Sequence, residues 1–198
     1  MTLVAITQRV EIGAHDECRD CLDQRWHVFL QVCGITALML PNHPAAATAL
    51  VNATSPAGLI LTGGNDLERF GGDTPERDAT ERATLEHFLL AGKPVLGICR
   101  GMQFLADFFG SQLAPVAQHV SIRHKVRNAQ KKMREVNSAH HYGVIACSAP
   151  LKAFAWAEDG SVEGMRHENG RLAGIMWHPE REAAAHAEDV QLFRELFQ

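Results

Sequence analysis

The chain has 198 residues, of which 46% are apolar and 21% charged, and its formal net charge is −4. That size and balance are those of one globular, water-soluble domain with a substantial core, and the negative charge gives no general attraction to nucleic acid. No apolar run approaches the roughly 20 residues that cross a bilayer, so neither nucleic acid nor membrane is an expected partner. In chain order, residues 3–7 read as a strand, and 19–32 as a helix with Gly34 just past its end. Residues 35–40 form a second strand, 45–51 a short helix and 59–62 a third strand. Residues 80–90 have helical periodicity and stop at Gly92-Lys93-Pro94, after which 94–98 read as a buried strand and 102–109 as an amphipathic helix. This alternation predicts an α/β fold, a three-layer sandwich with a mainly parallel sheet covered by helices on both faces. Beyond Gly110 the pattern changes to short β-like runs at 134–137, 144–147, 154–157 and 172–177, separated by turns at Asp159-Gly160 and Asn169-Gly170. These predict antiparallel hairpins completing the sheet, with a terminal helix over 189–197. No repeat, low-complexity tract or linker interrupts the chain, so residues 1–198 are expected to be one domain.

The chemistry concentrates at Gly97-Ile98-Cys99-Arg100-Gly101. A buried-strand run ends at a cysteine, a helix follows at once, and glycines stand two residues to either side. This is the Gly-x-nucleophile-x-Gly pattern of a strand-to-helix elbow, with sulfur as the nucleophile. The tight turn leaves no room for flanking side chains, and the helix N-terminus favours thiolate. Near the C-terminus, Trp177-His178-Pro179-Glu180 offers partners. His178 is placed to accept the thiol proton and Glu180 to orient the imidazole. Upstream, residues 58–62 form a strand that runs into Gly63-Gly64. One backbone N–H from that loop, at Gly64, and one from Arg100 are candidates for an oxyanion hole. Cysteine, histidine, acid and oxyanion loop together describe an acyl-transfer site.

At these residues, the motifs Gly-Ile-Cys-Arg-Gly-Met-Gln, Leu-Thr-Gly-Gly-Asn-Asp and Trp-His-Pro-Glu resemble the class I glutamine amidotransferase superfamily. The opening Ala5-Ile6-Thr7-Gln8-Arg9 and the stretch Val136-Asn137-Ser138-Ala139-His140-His141 resemble its γ-glutamyl hydrolase branch. The length is similar to that of small relatives in bacterial surface-polysaccharide pathways, γ-glutamyl-CDP-amidate hydrolases among them. The resemblance implies a flavodoxin-like class I amidotransferase fold and a division of labour. Cys99 would attack the side-chain carbonyl of a γ-glutamyl group and form a thioester, and His178 would protonate the departing amine and then activate water. The resemblance also assigns Gly63, Gln103, Asn137, Ser138 and His140 to substrate binding, with Gln103 at the glutamyl α-amino or α-carboxylate end. Relatives often carry glycine or glutamine where this chain has His141 and Tyr142, a departure that bears on the leaving-group pocket.

Other residues have plainer readings. Five cysteines, an odd number without a charged signal-peptide lead, predict reduced thiols and a cytoplasmic setting. Cys33 and Cys147 read as small buried hydrophobes. Cys18-Arg19-Asp20-Cys21, near the start of the expected helix, lacks the second pair that a zinc site needs. His119, His124 and His167 show no partner spacing, so no metal ligand is expected, and the acyl-transfer chemistry requires no cofactor. The basic run at residues 123–134 reads as a solvated surface loop, as a docking point for the anion of a phosphate- or nucleotide-bearing substrate, or as a site that docks onto an acidic patch of a partner protein. Three functions follow: a stand-alone hydrolase of a small-molecule γ-glutamyl amide, a glutaminase subunit feeding ammonia to a partner synthetase, and a non-catalytic protein that keeps the fold. Retention of Cys99, His178 and Glu180 argues against the third.

Overall fold

The computed structural model describes residues 1–198. Strand β1 (Thr2–Ile6) is followed by a hairpin of β2 (Arg9–Ile12) and β3 (Cys18–Cys21), helix α1 (Arg25–Cys33), β4 (Ile35–Met39) and α2 (Pro44–Thr54). Next come β5 (Leu59–Leu61), α3 (Pro75–Leu90), β6 (Val95–Ile98), α4 (Arg100–Phe108) and β7 (Gln112–Pro115). The remainder comprises β8 (Val120–Asn128), β9 (Met133–Ala139), β10 (Tyr142–Ala146), β11 (Leu151–Ala157), β12 (Val162–His167), β13 (Leu172–Ile175) and α5 (Ala187–Phe197). The main sheet runs β4-β1-β5-β6-β13-β12-β11-β8-β9, with β10 joined to β12 and β7. From β4 through β13 neighbouring strands are parallel, and from β13 to β9 antiparallel.

Alternation along the central strands feeds two separate cores. Val4, Ile6, Ile60, Leu96, Ile98, Ala173 and Ile175 point to one face, where Trp26, Phe29 and Leu30 of α1 pack with Phe193 and Phe197 of α5. Ala5, Leu59, Leu61, Val95 and Leu172 point to the other, against Ala47 of α2, Leu85 and Phe88 of α3, and Met102 and Leu105 of α4. A parallel strand covered on both faces must be apolar throughout, as β5, β6 and β13 are.

The expected helix over 19–32 is shorter. Residues 18–21 instead pair antiparallel with β2, and the Asp20 carboxylate accepts from Asn42 N–H (3.0 Å) and Nδ2 (2.7 Å). The Asp23 carboxylate accepts the Arg25 N–H at 2.9 Å, and the helix starts there. Cys18 and Cys21 therefore sit three apart on a strand, where their side chains leave opposite faces, and all five cysteines are free. The basic run is also not a loop. It occupies the end of β8, a turn over 129–132 and the start of β9, and the alternation of Ile122, His124 and Val126 with Arg123, Lys125 and Arg127 is a strand pattern that the density of charge obscured. Three of its cations are paired: Arg123 with Glu135 and Glu182, Lys132 with Glu188, and Arg134 with Asp189.

Candidate active site

Cys99 joins β6 to α4 with φ 51° and ψ −107°, a backbone conformation that few side chains adopt. Two hydrogen bonds hold it there: Cys99 N–H to Ile175 O (2.8 Å), and Gln103 N–H to Cys99 O (3.0 Å). The flanking glycines are required by contact. A Cβ on Gly97 would lie 2.5 Å from Gly101 O, and one on Gly101 would lie 2.1 Å from Leu61 O. The elbow thus presses directly on β5, whose end delivers Gly63 and Gly64.

His178 and Glu180 lie just beyond β13, the strand beside β6, in a short 3₁₀ turn over Pro179–Arg181. His178 Nδ1–H donates to Glu180 Oε1 at 2.8 Å, which leaves Nε2 as the free nitrogen of the ring. A Cβ on Gly63 would stand 3.4 Å from both His178 Nε2 and the Cys99 Cβ, and 2.6 Å from His178 Cε1. Gly63 is therefore the space in which ring and thiol meet. Burial works against charge on both groups, raising the thiol and lowering the imidazole. Their mutual attraction outweighs it: His178 holds the Cys99 thiol below its ordinary value, and Cys99 with Glu180 lifts His178 to about 9. The coupling therefore favours the charged pair, thiolate with imidazolium, over the neutral one. Cys33, by contrast, is pushed up to about 12 by burial, and burial also raises Cys147.

Cys99, Arg100, Gly64, Gln103, His140 and His178 share one cleft of about 460 Å³. Gln103 Nε2 donates to Tyr142 O at 2.8 Å, so its side-chain oxygen is the group left for a ligand. A larger cavity of about 610 Å³ lies against Arg134 and Trp177, away from Cys99. Of the expected binding residues, Gly63, Asn137 and Ser138 are not among those lining this cleft. Asn137 is turned to the backbone of His178, accepting from its N–H at 2.9 Å and donating to its carbonyl at 2.8 Å. Ser138 Oγ donates to His119 O at 2.7 Å. None of the basic residues of β8 and β9 lines the cleft either.

A buried charge cluster missed at the level of sequence fixes the glycine loop. The Arg77 guanidinium donates to Thr62 O (2.8 Å), Gly63 O (3.1 Å) and Asn65 Oδ1 (3.0 Å), and also to Gly64 O. With the Gly63 carbonyl turned to Arg77, the N–H across the same planar peptide, that of Gly64, points the other way. Glu81 is shared: it accepts from Arg77 Nε (3.0 Å), Thr7 Oγ1 (2.9 Å) and the Arg100 side chain, while Arg100 also pairs with Asp78. The i, i+4 spacing of Arg77 and Glu81 was the available signal. The expected helix began at Thr80, which hid it.

The glutamine amidotransferase class I family model matches residues 19–197. A γ-glutamyl-CDP-amidate hydrolase of Campylobacter jejuni is 33% identical over 141 residues, 70% of this chain and 68% of that protein. A glutamine-hydrolyzing GMP synthase subunit of Thermococcus kodakarensis is 28% identical over 170 residues, covering 81% and 85% of the two chains. Among solved structures, a Thermotoga maritima glutamine amidotransferase aligns with a TM-score of 0.68 at 18% identity, over 90% of this chain and 76% of that one. These matches carry the fold and the family together: the chain belongs to the class I glutamine amidotransferases.

Proposed function

We propose that the protein is a cysteine-dependent hydrolase of a γ-glutamyl amide, releasing glutamate and an amine or amidate through a glutamyl thioester. The observation that carries this reading is that Cys99 and His178 line one cleft, with Glu180 hydrogen-bonded to His178 and a glycine loop held from behind by Arg77. The Cys99 sulfur attacks the amide carbon, and the carbonyl electron pair moves onto oxygen. That oxygen is received by the N–H groups of Gly64 and Arg100; the latter begins α4 and has no intrahelical acceptor. His178 Nε2 then gives its proton to the leaving nitrogen as the C–N bond breaks, and afterwards takes one from water as the thioester is hydrolysed. Glu180 keeps the imidazolium oriented throughout. Gln103 offers an acceptor oxygen suited to the α-ammonium end of the glutamyl group.

Similarity to the C. jejuni protein supports a leaving group larger than ammonia, including a phosphate-bearing amidate. Similarity to the T. kodakarensis GMP synthase subunit supports a second reading, a glutaminase that hands ammonia to a separate synthetase. Glutamate release from glutamine, γ-glutamyl amines and a γ-glutamyl nucleotide amidate separates the two. Fast turnover of one larger amide, with glutamine poor, identifies the hydrolase; slow turnover of glutamine alone identifies the synthetase partner.

A further inference from the structure

Behind the cleft, three side chains from separate segments converge. His119 precedes β8, His140 follows β9 and Glu163 lies on β12, and none is more than 3% exposed. Their facing atoms form a nearly equilateral triangle. His119 Nδ1 is 3.3 Å from His140 Nε2 and 3.5 Å from Glu163 Oε1, and His140 Nε2 is 3.4 Å from Glu163 Oε1. Tetrahedral coordination with arms of about 2.0–2.1 Å has ligand-to-ligand edges of about 3.3–3.4 Å. The triangle is one face of such a tetrahedron.

The outer atoms fix which way the inner ones are poised. His119 Nε2 lies 3.0 Å from Asp159 Oδ2, and His140 Nδ1 lies 3.0 Å from Tyr142 O. A carboxylate and a carbonyl can only accept, so these outer nitrogens carry the ring protons, and neutral rings turn lone pairs inward. With both rings neutral, three acceptors face one another without a donor between them. Both Glu163 oxygens are buried without a hydrogen-bond partner, and so is His124 Nε2, 3.4 Å from Glu163 Oε2. Convergent buried acceptors at this spacing are repulsive unless a metal cation or an added proton sits among them. Chain spacing gave no hint of this, because the three residues come from three strands' ends and only the antiparallel half of the sheet brings them together.

We propose that His119 Nδ1, His140 Nε2 and Glu163 Oε1 bind a divalent cation of the zinc class, with His124 steadying the second Glu163 oxygen. Two imidazoles and one carboxylate oxygen suit zinc or a neighbouring late first-row ion and not calcium or magnesium, which take oxygen ligands. The frame is already in place: His140 N–H and Ser138 Oγ both donate to His119 O, at 3.0 and 2.7 Å. The ion would pin the β8–β9 pair to β12 and so hold the cleft wall that His140 supplies, a role apart from the thioester chemistry.

The test is zinc binding by the full chain, stripped with chelator and then titrated against a chromophoric competitor, in wild type and in Cys99→Ala, His119→Ala and Glu163→Gln. Cys99→Ala is included because a thiolate beside His178 is itself a zinc ligand. One equivalent bound by wild type and Cys99→Ala alike is expected, with affinity roughly 100-fold or more weaker in His119→Ala and Glu163→Gln. Zinc should also raise the melting temperature of wild type but not of Glu163→Gln. Cobalt(II) substituted into wild type should give tetrahedral d–d bands without sulfur charge transfer, a readout that stands if a variant fails to fold. Absence of stoichiometric binding in wild type, or binding lost in Cys99→Ala and kept in Glu163→Gln, overturns the proposal. In the first case, the three acceptors share a proton.

Discussion

Asn137 grips His178 by its main chain on both sides, accepting the His178 N–H at 2.9 Å and donating to the His178 carbonyl at 2.8 Å. The same amide nitrogen also donates to Glu182 Oε1 at 2.7 Å. Asn137 belongs to the antiparallel β9, whereas His178 follows the parallel β13, so this pair ties the two halves of the sheet at the catalytic turn. These bonds make positioning of His178 the role to test for Asn137, beside the substrate binding expected of it.

Asn137→Ala should accordingly lower kcat while leaving KM nearly unchanged. A displaced general acid costs on the order of 10–100-fold in rate, since reacting groups must be held to a fraction of an ångström. Steady-state kinetics with the preferred amide checks this. A rise in KM at constant kcat would restore the substrate-binding role.

Cys99→Ala should abolish glutamate release, by about 10³-fold or more, with the circular dichroism spectrum unchanged. Glu180→Gln should reduce turnover less, because thiol and imidazole stay in place. Hydrolysis retained in Cys99→Ala would sink the thioester mechanism.

The pH profile of kcat/KM should be a bell. The thiolate is lost as pH falls through the depressed value of Cys99, and the imidazolium that protonates the leaving group is lost as pH rises through about 9. Glu180→Gln removes a carboxylate that raises His178, so the alkaline limb should move to lower pH. An alkaline limb that stays put in this variant would show that Glu180 does not set the His178 equilibrium.

Glu81 is buried between two guanidinium groups. Burial alone would raise its carboxyl, but Arg100 and Arg77 outweigh it and hold it below the ordinary value. The folded value being the lower one, this stabilisation is present above the unfolded carboxyl near 4.5 and is lost as pH falls through the depressed folded value. Glu81→Gln leaves two buried cations without their shared partner and should cost about 3–5 kcal/mol, measured by denaturant unfolding at pH 7. A loss under about 1 kcal/mol would mean that Asp78 and the loop carbonyls suffice.

Local sequence determined the elbow and the parallel half of the sheet. Gly97 and Gly101 are dictated by contacts within five residues and with the adjacent strand, and β5, β6 and β13 are apolar because both their faces are covered. Such features depend on near neighbours, so spacing and composition are enough to read them. His178-Pro179-Glu180 was legible for the same reason, its acid returning across a single turn. Where a segment is half-exposed and its partner is distant, the pattern was ambiguous. Residues 18–21 became a strand because β2 was there to pair with them, and the basic run became β8 and β9 because Val126 and Val136 found a face to bury. Tertiary structure alone decided that Asn137 serves His178, that Arg77 aims the glycine loop, and that His119, His140 and Glu163 meet. Each joins residues more than ten positions apart, and a contact across that distance is set by the order and direction of strands, which no local pattern encodes.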